Sequence, residues 1–473
     1  MKLPKSTKEA KKAFASGEYS PSQLVEEYLK RIKELNPTLN AYLEVFSDVR
    51  DLAKVADERY KHGTARELEG IPFAVKDCIL LEGKHASAGS KMLEKYVASY
   101  DATAIKQLRE AGALFLGRTN MDEFAMGGTG ENSAYGSTFN PHDHSRVPGG
   151  TSSGSAVAVA ADMCLVALGS DTGGSVRQPG SFCGVYGYKP SYGGISRFGL
   201  IAAGSSLDQI GILANTVEDV QLVQKVLYRQ DVLDSTTIPD ILRATYASDV
   251  PFKKTILYPK SLVDSDGINK GVQQNFYEFL EKAKVKGYDL KEVDIAALKY
   301  ALAMYYIIMP AEVSTNLSRM DGLRFGGGDV GEVSSYQDLF KKTRGKFFGA
   351  EAKRRIIIGT YVLSHGYYDA YYGKATLLRE QLKADFAKVF ADGSIYLTPT
   401  APTTAFKLKG SGEERDPLTL YLEDIFTVPA NLAQLPGISI PSGKDDEGLP
   451  YGVQALSLFG HDHFLFQFAK DME

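Results

Sequence analysis

Across residues 120–207 glycine, serine and alanine dominate and charges thin out. Flexible linkers share that composition, but linkers do not contain VAVAADMCLVAL (residues 157–168). That segment reads as a small-residue helix, able to pack closely, running into a buried strand. A chain with such a middle must fold around it, and the flanking segments follow suit. Ser20-Pro21-Ser22-Gln23 is a capping-box start with proline at the first helical position, ahead of LVEEYLKRIKEL. Asn36-Pro37 is expected to end that helix, with AYLEVF as a short strand and a second helix over residues 49–61. FAVKD then reads as a buried strand, residues 103–111 as an amphipathic helix and ALFLG as another strand. Helical patterning returns after about Glu218, as in NFYEFLEKAKVKG, and IYLTPT is a late strand. Helix and strand alternate at a spacing that argues for an α/β fold with a largely parallel, covered sheet. No internal repeat or interdomain linker interrupts the 473 residues, so one large domain is expected.

The bulk chemistry excludes several classes. Lys and Arg number 54 against 58 Asp and Glu, a net charge of −4, so no global basic field for nucleic acid exists. An RNA-linked role stays open, because a partner could hold the RNA. Cys78, Cys164 and Cys183 are odd in number and lack CxxC spacing, which argues against a disulfide framework or zinc site. MKLPKSTKEAKK carries no signal-like apolar run, and YALAMYYIIM is too short to span a bilayer. A cytoplasmic enzyme without membrane contact is expected.

The chemistry concentrates in the glycine-rich middle. In GSDTGGSVRQP an apolar strand runs into Asp171-Thr172-Gly173-Gly174-Ser175. Two glycines let successive backbone N–H groups point into one concavity, which would serve as an oxyanion hole if Ser175 attacks a carbonyl. A plain structural turn fits the same residues. The Walker pattern G-x-x-x-x-G-K-[ST] is missing, so the phosphate-loop reading fails. A serine nucleophile needs a base. The seven histidines sit mostly in charged or loop-like contexts, His142 and His144 among them in NPHDHSR. The alternative is Lys76 at the end of the apolar PFAVKD, where burial would disfavour the ammonium and leave an amine able to accept a proton. Pairing of Lys76 with Asp77 is the competing reading. PGGTSSGSA (residues 148–156) supplies hydroxyls that could pass a proton between them, while Ser153 or Ser155 could cap the following helix.

With Lys76, PGGTSSGSA and GSDTGGSVRQP in this order, the chain resembles the amidase signature family. The family pattern is a lysine on a buried strand, a G-G-S-S-G-G-S loop, then G-x-D-x-G-G-S-[IV]-R-x-P. The resemblance implies a single large α/β domain over residues 1–473, with a mixed central sheet covered by helices on both faces. An N-terminal helical segment would span about residues 1–65 and the Gly/Ser-rich catalytic core about residues 70–215. It also implies Ser175 as nucleophile, Lys76 as base, and an oxyanion hole from the N–H groups of Thr172, Gly173, Gly174 and Ser175. Aligned without gaps, the family's relay serine, which follows a cis peptide, falls on Thr151. Ser152 is the alternative relay.

DEFAMGGTGENSAYG, SRFGLIAAGSSLDQIG, PAEVSTNLSRMDGLRFG, AKRRIIIGTYVLSHGYYDAYY and IFTVPANLAQLPGISIP narrow the likeness. They are similar to the A-subunit family of the glutamyl-tRNA(Gln)/aspartyl-tRNA(Asn) amidotransferases. That similarity implies a glutaminase that passes ammonia to a partner B subunit, which amidates mischarged tRNA, with a small C subunit bracing the two. No metal or cofactor is implied in this chain; ATP and magnesium would belong to the B subunit, which would also make most of the tRNA contact. The implied glutamine-binding residues are Arg355 (with Arg354 as rival), Asp424 and Tyr306 (with Tyr305 as rival), with Gly127, Gly128 and Thr129 lining the pocket. Asp171 and Arg177 would form a local ion pair that shapes the nucleophile loop, with Asp208 supporting it. A free-standing amidase on another small amide, or an inactive scaffold, are the rival readings.

Overall fold

A computed structural model describes residues 2–326, 328, 330–390, 392–410 and 417–473, without side chains for 417–419. The strands are β1 (Tyr42–Val45), β2 (Pro72–Lys76), β3 (Leu114–Thr119), β4 (Val166–Asp171), β5 (Tyr186–Lys189) and β6 (Gln209–Ala214). β7 (Thr255–Tyr258), β8 (Asp289–Glu292), β9 (Ile395–Pro399), β10 (Gly437–Lys444) and β11 (Pro450–Leu456) follow. All join one sheet in the order β1-β3-β2-β4-β6-β5-β10-β11-β9-β7-β8.

The largely parallel sheet expected from helix–strand alternation is corrected to a mixed one. β3-β2-β4 and β9-β7-β8 are parallel, but β4-β6-β5-β10-β11-β9 runs antiparallel throughout. Local periodicity reports each element and not the direction in which it returns to the sheet.

Contrary to expectation, Pro37 does not end its helix. The helix runs Pro21–Leu39, opens with the expected Ser20–Gln23 capping box, and closes on Asn40 at φ 48°. Pro37 removes only the N–H it lacks. Beyond it the Asn40 N–H still reaches the Asn36 carbonyl at 2.8 Å, while the Asn36 side chain is bonded to the Tyr42 backbone. Among the described residues no helix is long and apolar enough to cross a membrane.

Two features of the fold build the site. β2 and β4 are parallel neighbours with Val75 opposite Leu168, so Lys76 and the Gly169–Asp171 end of β4 emerge at the same edge. The small-residue helix Ser153–Ala160 then lies against β4 and β2 and delivers residues 148–152 to that edge. Its closeness depends on Gly154, whose N–H bonds to the Asn120 carbonyl at 3.1 Å. A β-carbon there would collide with the Ala41 carbonyl oxygen and with the Asn120 backbone. Ser152, rather than Ser153 or Ser155, occupies the N-cap, and its side chain makes no capping bond. Gly154→Ala should lower stability by about 1–3 kcal/mol, the cost of forcing a methyl group into a packed contact. Denaturant unfolding would register this as a lower midpoint with an unchanged slope.

Candidate active site

Lys76 and Thr151 are wholly shielded from solvent, while Ser175 keeps 8% of its surface. Lys76 Nζ lies 2.7 Å from Thr151 Oγ1, 3.0 Å from Ser152 Oγ, 2.9 Å from Ser170 Oγ and 3.2 Å from the Ser170 carbonyl oxygen. The alternative pairing with Asp77 is not formed. That carboxylate takes Arg118 Nη1 at 2.6 Å, the Gly89 N–H at 2.9 Å and the Ser87 hydroxyl. Among the described residues no carboxylate touches Lys76, and burial lowers its pKa against weaker opposing contributions from Cys78, Asp122, Asp171 and Asp208. None of the histidines bonds to Ser175 among the described residues; His142 Nε2 pairs with the Cys183 carbonyl at 3.0 Å.

The two hydroxyls proposed for the relay differ in their partners. Ser152 Oγ donates to the Ser170 carbonyl at 3.1 Å and accepts the Ser170 N–H at 3.2 Å, besides Lys76. That occupies the one donor and two acceptor positions a hydroxyl possesses. Thr151 Oγ1 has Lys76 as its one hydrogen-bond partner among the described residues. The Gly150–Thr151 peptide is cis. Its loop is tied to the segment around Ser175 by Ser152 N–H to the Ser175 carbonyl at 3.0 Å and by Gly150 N–H to Gln178 Oε1 at 3.2 Å.

The Thr172–Ser175 turn leaves β4 and enters the helix Arg177–Cys183. Only Gly174 adopts a positive φ, 129°, which favours glycine. Gly173 is required by space, since a β-carbon there would lie 2.6 Å from the hydroxyl of Tyr305. The expected four-donor concavity is corrected at one position. Gly174 N–H already donates to Asp171 Oδ1 at 2.9 Å, whereas the N–H groups of Gly173 and Ser175 have no partner among the described residues. Ser175 Oγ likewise makes no protein hydrogen bond among them.

Asp171 and Arg177 form the expected ion pair, fully buried at 2.9 Å. Burial alone would raise the Asp171 pKa, but Arg177 outweighs it and holds the carboxylate well below its ordinary range. The guanidinium also donates to Asn431 Oδ1 at 2.6 Å, Gln454 Oε1 at 2.5 Å and the Thr427 carbonyl at 2.9 Å. Asp208 accepts the Thr172 hydroxyl at 2.7 Å and the N–H groups of Ala203 and Gly204. Together they clamp the turn from both ends.

The residues expected to bind substrate gather beside the turn. Tyr306 donates to Asp424 Oδ2 at 2.8 Å, and the Arg355 guanidinium lies 5.5 Å from the centre of the Tyr306 ring. Burial pushes Asp424 up to about 6. Burial also opposes the Arg355 charge, but Tyr306, Tyr305 and Glu351 more than offset it. Arg354 faces solvent and pairs with Glu351, so of the two arginines only Arg355 joins this cluster. Both tyrosines belong to it: Tyr305 packs on Gly173, Tyr306 holds Asp424. Gly127–Thr129 lies against Gly150, where a β-carbon would approach Thr129 N to 2.9 Å. Ser170 and Asp122 carry no signal in the sequence that marks them for this site. Asp122 is buried under Gly150 and Gly127, accepting the N–H groups of Gly130 at 3.0 Å and Asn132 at 2.8 Å. No group of three or more His, Cys, Asp or Glu side chains that could hold a metal occurs among the described residues.

A model of the family described as Amidase matches residues 23–466. The chain belongs to the amidase family. Within it, the chain is 46% identical to the A subunit of glutamyl-tRNA(Gln) amidotransferase from Desulfatibacillum aliphaticivorans, over 94% of this chain and 92% of that one. The same-named protein of Methylobacillus flagellatus is also 46% identical, covering 95% and 93%. Among solved amidase structures, its counterpart from Thermotoga maritima superposes with a TM-score of 0.77 at 39% identity, covering 96% and 91%. A peptide amidase from Stenotrophomonas maltophilia gives 0.80 at 26% identity, covering 99% and 96%.

Arg177→Met should destabilise the amidase fold by about 3–5 kcal/mol at neutral pH, because it leaves Asp171 buried without its cation. In the unmodified chain the low Asp171 pKa contributes stability above the unfolded carboxylate value, about 4, which is lost as pH falls through the folded value. The gap between variant and parent should therefore narrow below about pH 4, as measured by chemical denaturation over a pH series.

Proposed function

We propose that the chain is the glutaminase component of a tRNA-dependent amidotransferase, with Ser175 as nucleophile, Lys76 as base and Thr151 as proton relay. The observation that carries this reading is the 2.7 Å contact between the buried Lys76 Nζ and Thr151 Oγ1, in a loop bonded to the Ser175 backbone. A neutral amine has two N–H donors and one lone pair. Ser152 and Ser170 offer acceptors for the donors, and the Thr151 hydroxyl can point its hydrogen at the lone pair. Thr151 Oγ1 then accepts the proton of Ser175 as Ser175 Oγ bonds to the carbonyl carbon of the glutamine side chain.

The carbonyl oxygen becomes an oxyanion beside the turn, where the N–H groups of Thr172, Gly173 and Ser175 are the donors that support it. Collapse breaks the C–N bond, and the proton on Lys76 returns through Thr151 to the departing ammonia. A glutamyl ester on Ser175 remains until water, deprotonated by the same relay, releases glutamate. Arg355 suits the α-carboxylate of glutamine, Asp424 oriented by Tyr306 suits its α-ammonium, and Gly127, Gly128 and Thr129 form a pocket wall. Support for this substrate comes from the opposite charges of Arg355 and Asp424 at one side of the turn.

The near-full-length similarity to proteins named for glutamyl-tRNA(Gln) amidotransferase supports ammonia delivery to a partner B subunit, with a C subunit bracing the two. In such a complex the glutamate or aspartate carried on tRNA would be activated by ATP and magnesium in the B subunit, which would contact most of the tRNA. Such a role would be carried out in the cytoplasm, in protein synthesis. It also reconciles a net charge of −4 with a reaction on tRNA.

The relay is tested in the assembled complex with glutamine. Thr151→Ala should lower kcat for glutamine hydrolysis by about 10²–10⁴-fold, the scale of a lost proton-transfer group. Ser152→Ala should cost less, and equal loss in both would remove Thr151 from its role. Full activity of the isolated chain on other small amides, with none added by partners, would instead favour a free-standing amidase.

A further inference from the structure

The acidic side chains around Lys76 are not equivalent. Asp77 is matched by Arg118 and Asp171 by Arg177. Asp208 is held by the Thr172 hydroxyl and two backbone N–H groups. Asp122, like Asp208, is buried with no lysine or arginine bonded to it among the described residues, and two backbone N–H groups are its donors; what sets it apart is its place against the loop that carries Thr151. Its carboxylate meets Gly150 so closely that any side chain there would overlap it, and Gly127 is under the same restriction. Gly150 precedes Thr151, whose hydroxyl contacts Lys76. One two-residue stretch is therefore touched by Asp122 on its first member and by Lys76 on its second.

We infer that Asp122 is a positioning residue for amide cleavage: it seats the Gly150–Thr151 stretch and supplies a buried negative charge, with no cation bonded to it among the described residues, against which Lys76 takes up its proton. The inference rests on Lys76 acting as the base, as proposed above. When the Ser175 proton reaches Lys76 through Thr151, an ammonium is created in a site shielded from solvent, with no carboxylate in contact among the described residues. A buried charge of opposite sign close by makes that ammonium less costly, and its proton leaves again with ammonia. The charged and titratable groups facing Lys76 are Cys78, Asp122, Asp171 and Asp208; those facing Asp122 are Lys76 and Glu131. Burial pushes Asp122 up to about 6, so it carries its charge at neutral pH and surrenders it in mild acid.

The sign of the effect separates this role from bracing alone. Lys76 must be neutral to accept a proton, so activity falls on the acid side. Removing the Asp122 charge makes Lys76 easier to deprotonate and a weaker base. In the assembled complex, Asp122→Asn and Asp122→Ser should both move the acid limb of kcat/KM for glutamine to lower pH by about one unit. Both should also lower the plateau kcat about tenfold, with KM little changed. The two replacements disturb packing differently, since Asn sets an N–H against a backbone N–H and Ser leaves a water-sized space. A shift shared by both therefore reports charge. Thermal melting confirms that each variant is folded. An acid limb that stays in place, whether activity is lost or kept, overturns the inference. Ser175→Ala measured alongside separates the two levels: its retained activity would overturn the underlying mechanism, whereas its inactivity with an unmoved limb overturns only the role of Asp122.

Discussion

A lysine with no solvent exposure and, among the described residues, no carboxylate in contact is the constraint on which the rest of this structure turns. Burial disfavours an ammonium in that position and lowers the Lys76 pKa, while hydroxyl and carbonyl oxygens hold its Nζ. The surrounding elements shield this nitrogen from solvent and bring hydroxyl groups to it. Parallel pairing of β2 with β4 brings Ser170 to it, and a helix of glycine, serine, alanine and valine is slim enough to bring Thr151 and Ser152 as well. A bulkier helix would hold these hydroxyls away.

The Thr172–Ser175 turn is governed by the opposite device. Asp171 and Arg177 are also fully buried, but as an ion pair with every remaining donor and acceptor matched by Asn431, Gln454 and Thr427. Such a pair adds little net stability over apolar packing, yet it tolerates no loss of either partner. Its value lies in geometry: it anchors the Gly174 N–H and leaves those of Gly173 and Ser175 directed elsewhere. Tyr305 and Thr427 close over the same glycines, which couples the turn to the elements that carry Arg355 and Asp424.

Much of this is legible in the residues themselves. A lysine ending an apolar run, a glycine-bracketed serine after a strand, and a hydroxyl-rich loop between them carry their chemistry in composition and order. Ser170 is not legible, because its contact with Lys76 arises from the register of two strands nearly a hundred residues apart. Asp122 is hidden for a similar reason: in MDEFAMGG it reads as one more acidic residue beside Glu123, and only the close approach of Gly150 and Gly127 gives it a place. Sheet direction escapes a sequence reading, since alternation of helix and strand is the same for either sense. Pro37 misleads because a proline in the last turn forfeits a single bond, which a left-handed Asn40 and the Asn36 side chain outweigh.

The central claim, that Ser175 is acylated by glutamine with Lys76 drawing its proton through Thr151, is open to direct observation. Rapid acid quenching of the assembled complex during glutamine turnover, followed by peptide mass spectrometry, should find one glutamyl group esterified to Ser175. The adduct should vanish with hydroxylamine and be missing in Lys76→Ala. A glutamyl group on Thr151, Ser152 or any other residue, or steady turnover with no adduct on Ser175 when ester hydrolysis is slowed, would contradict it.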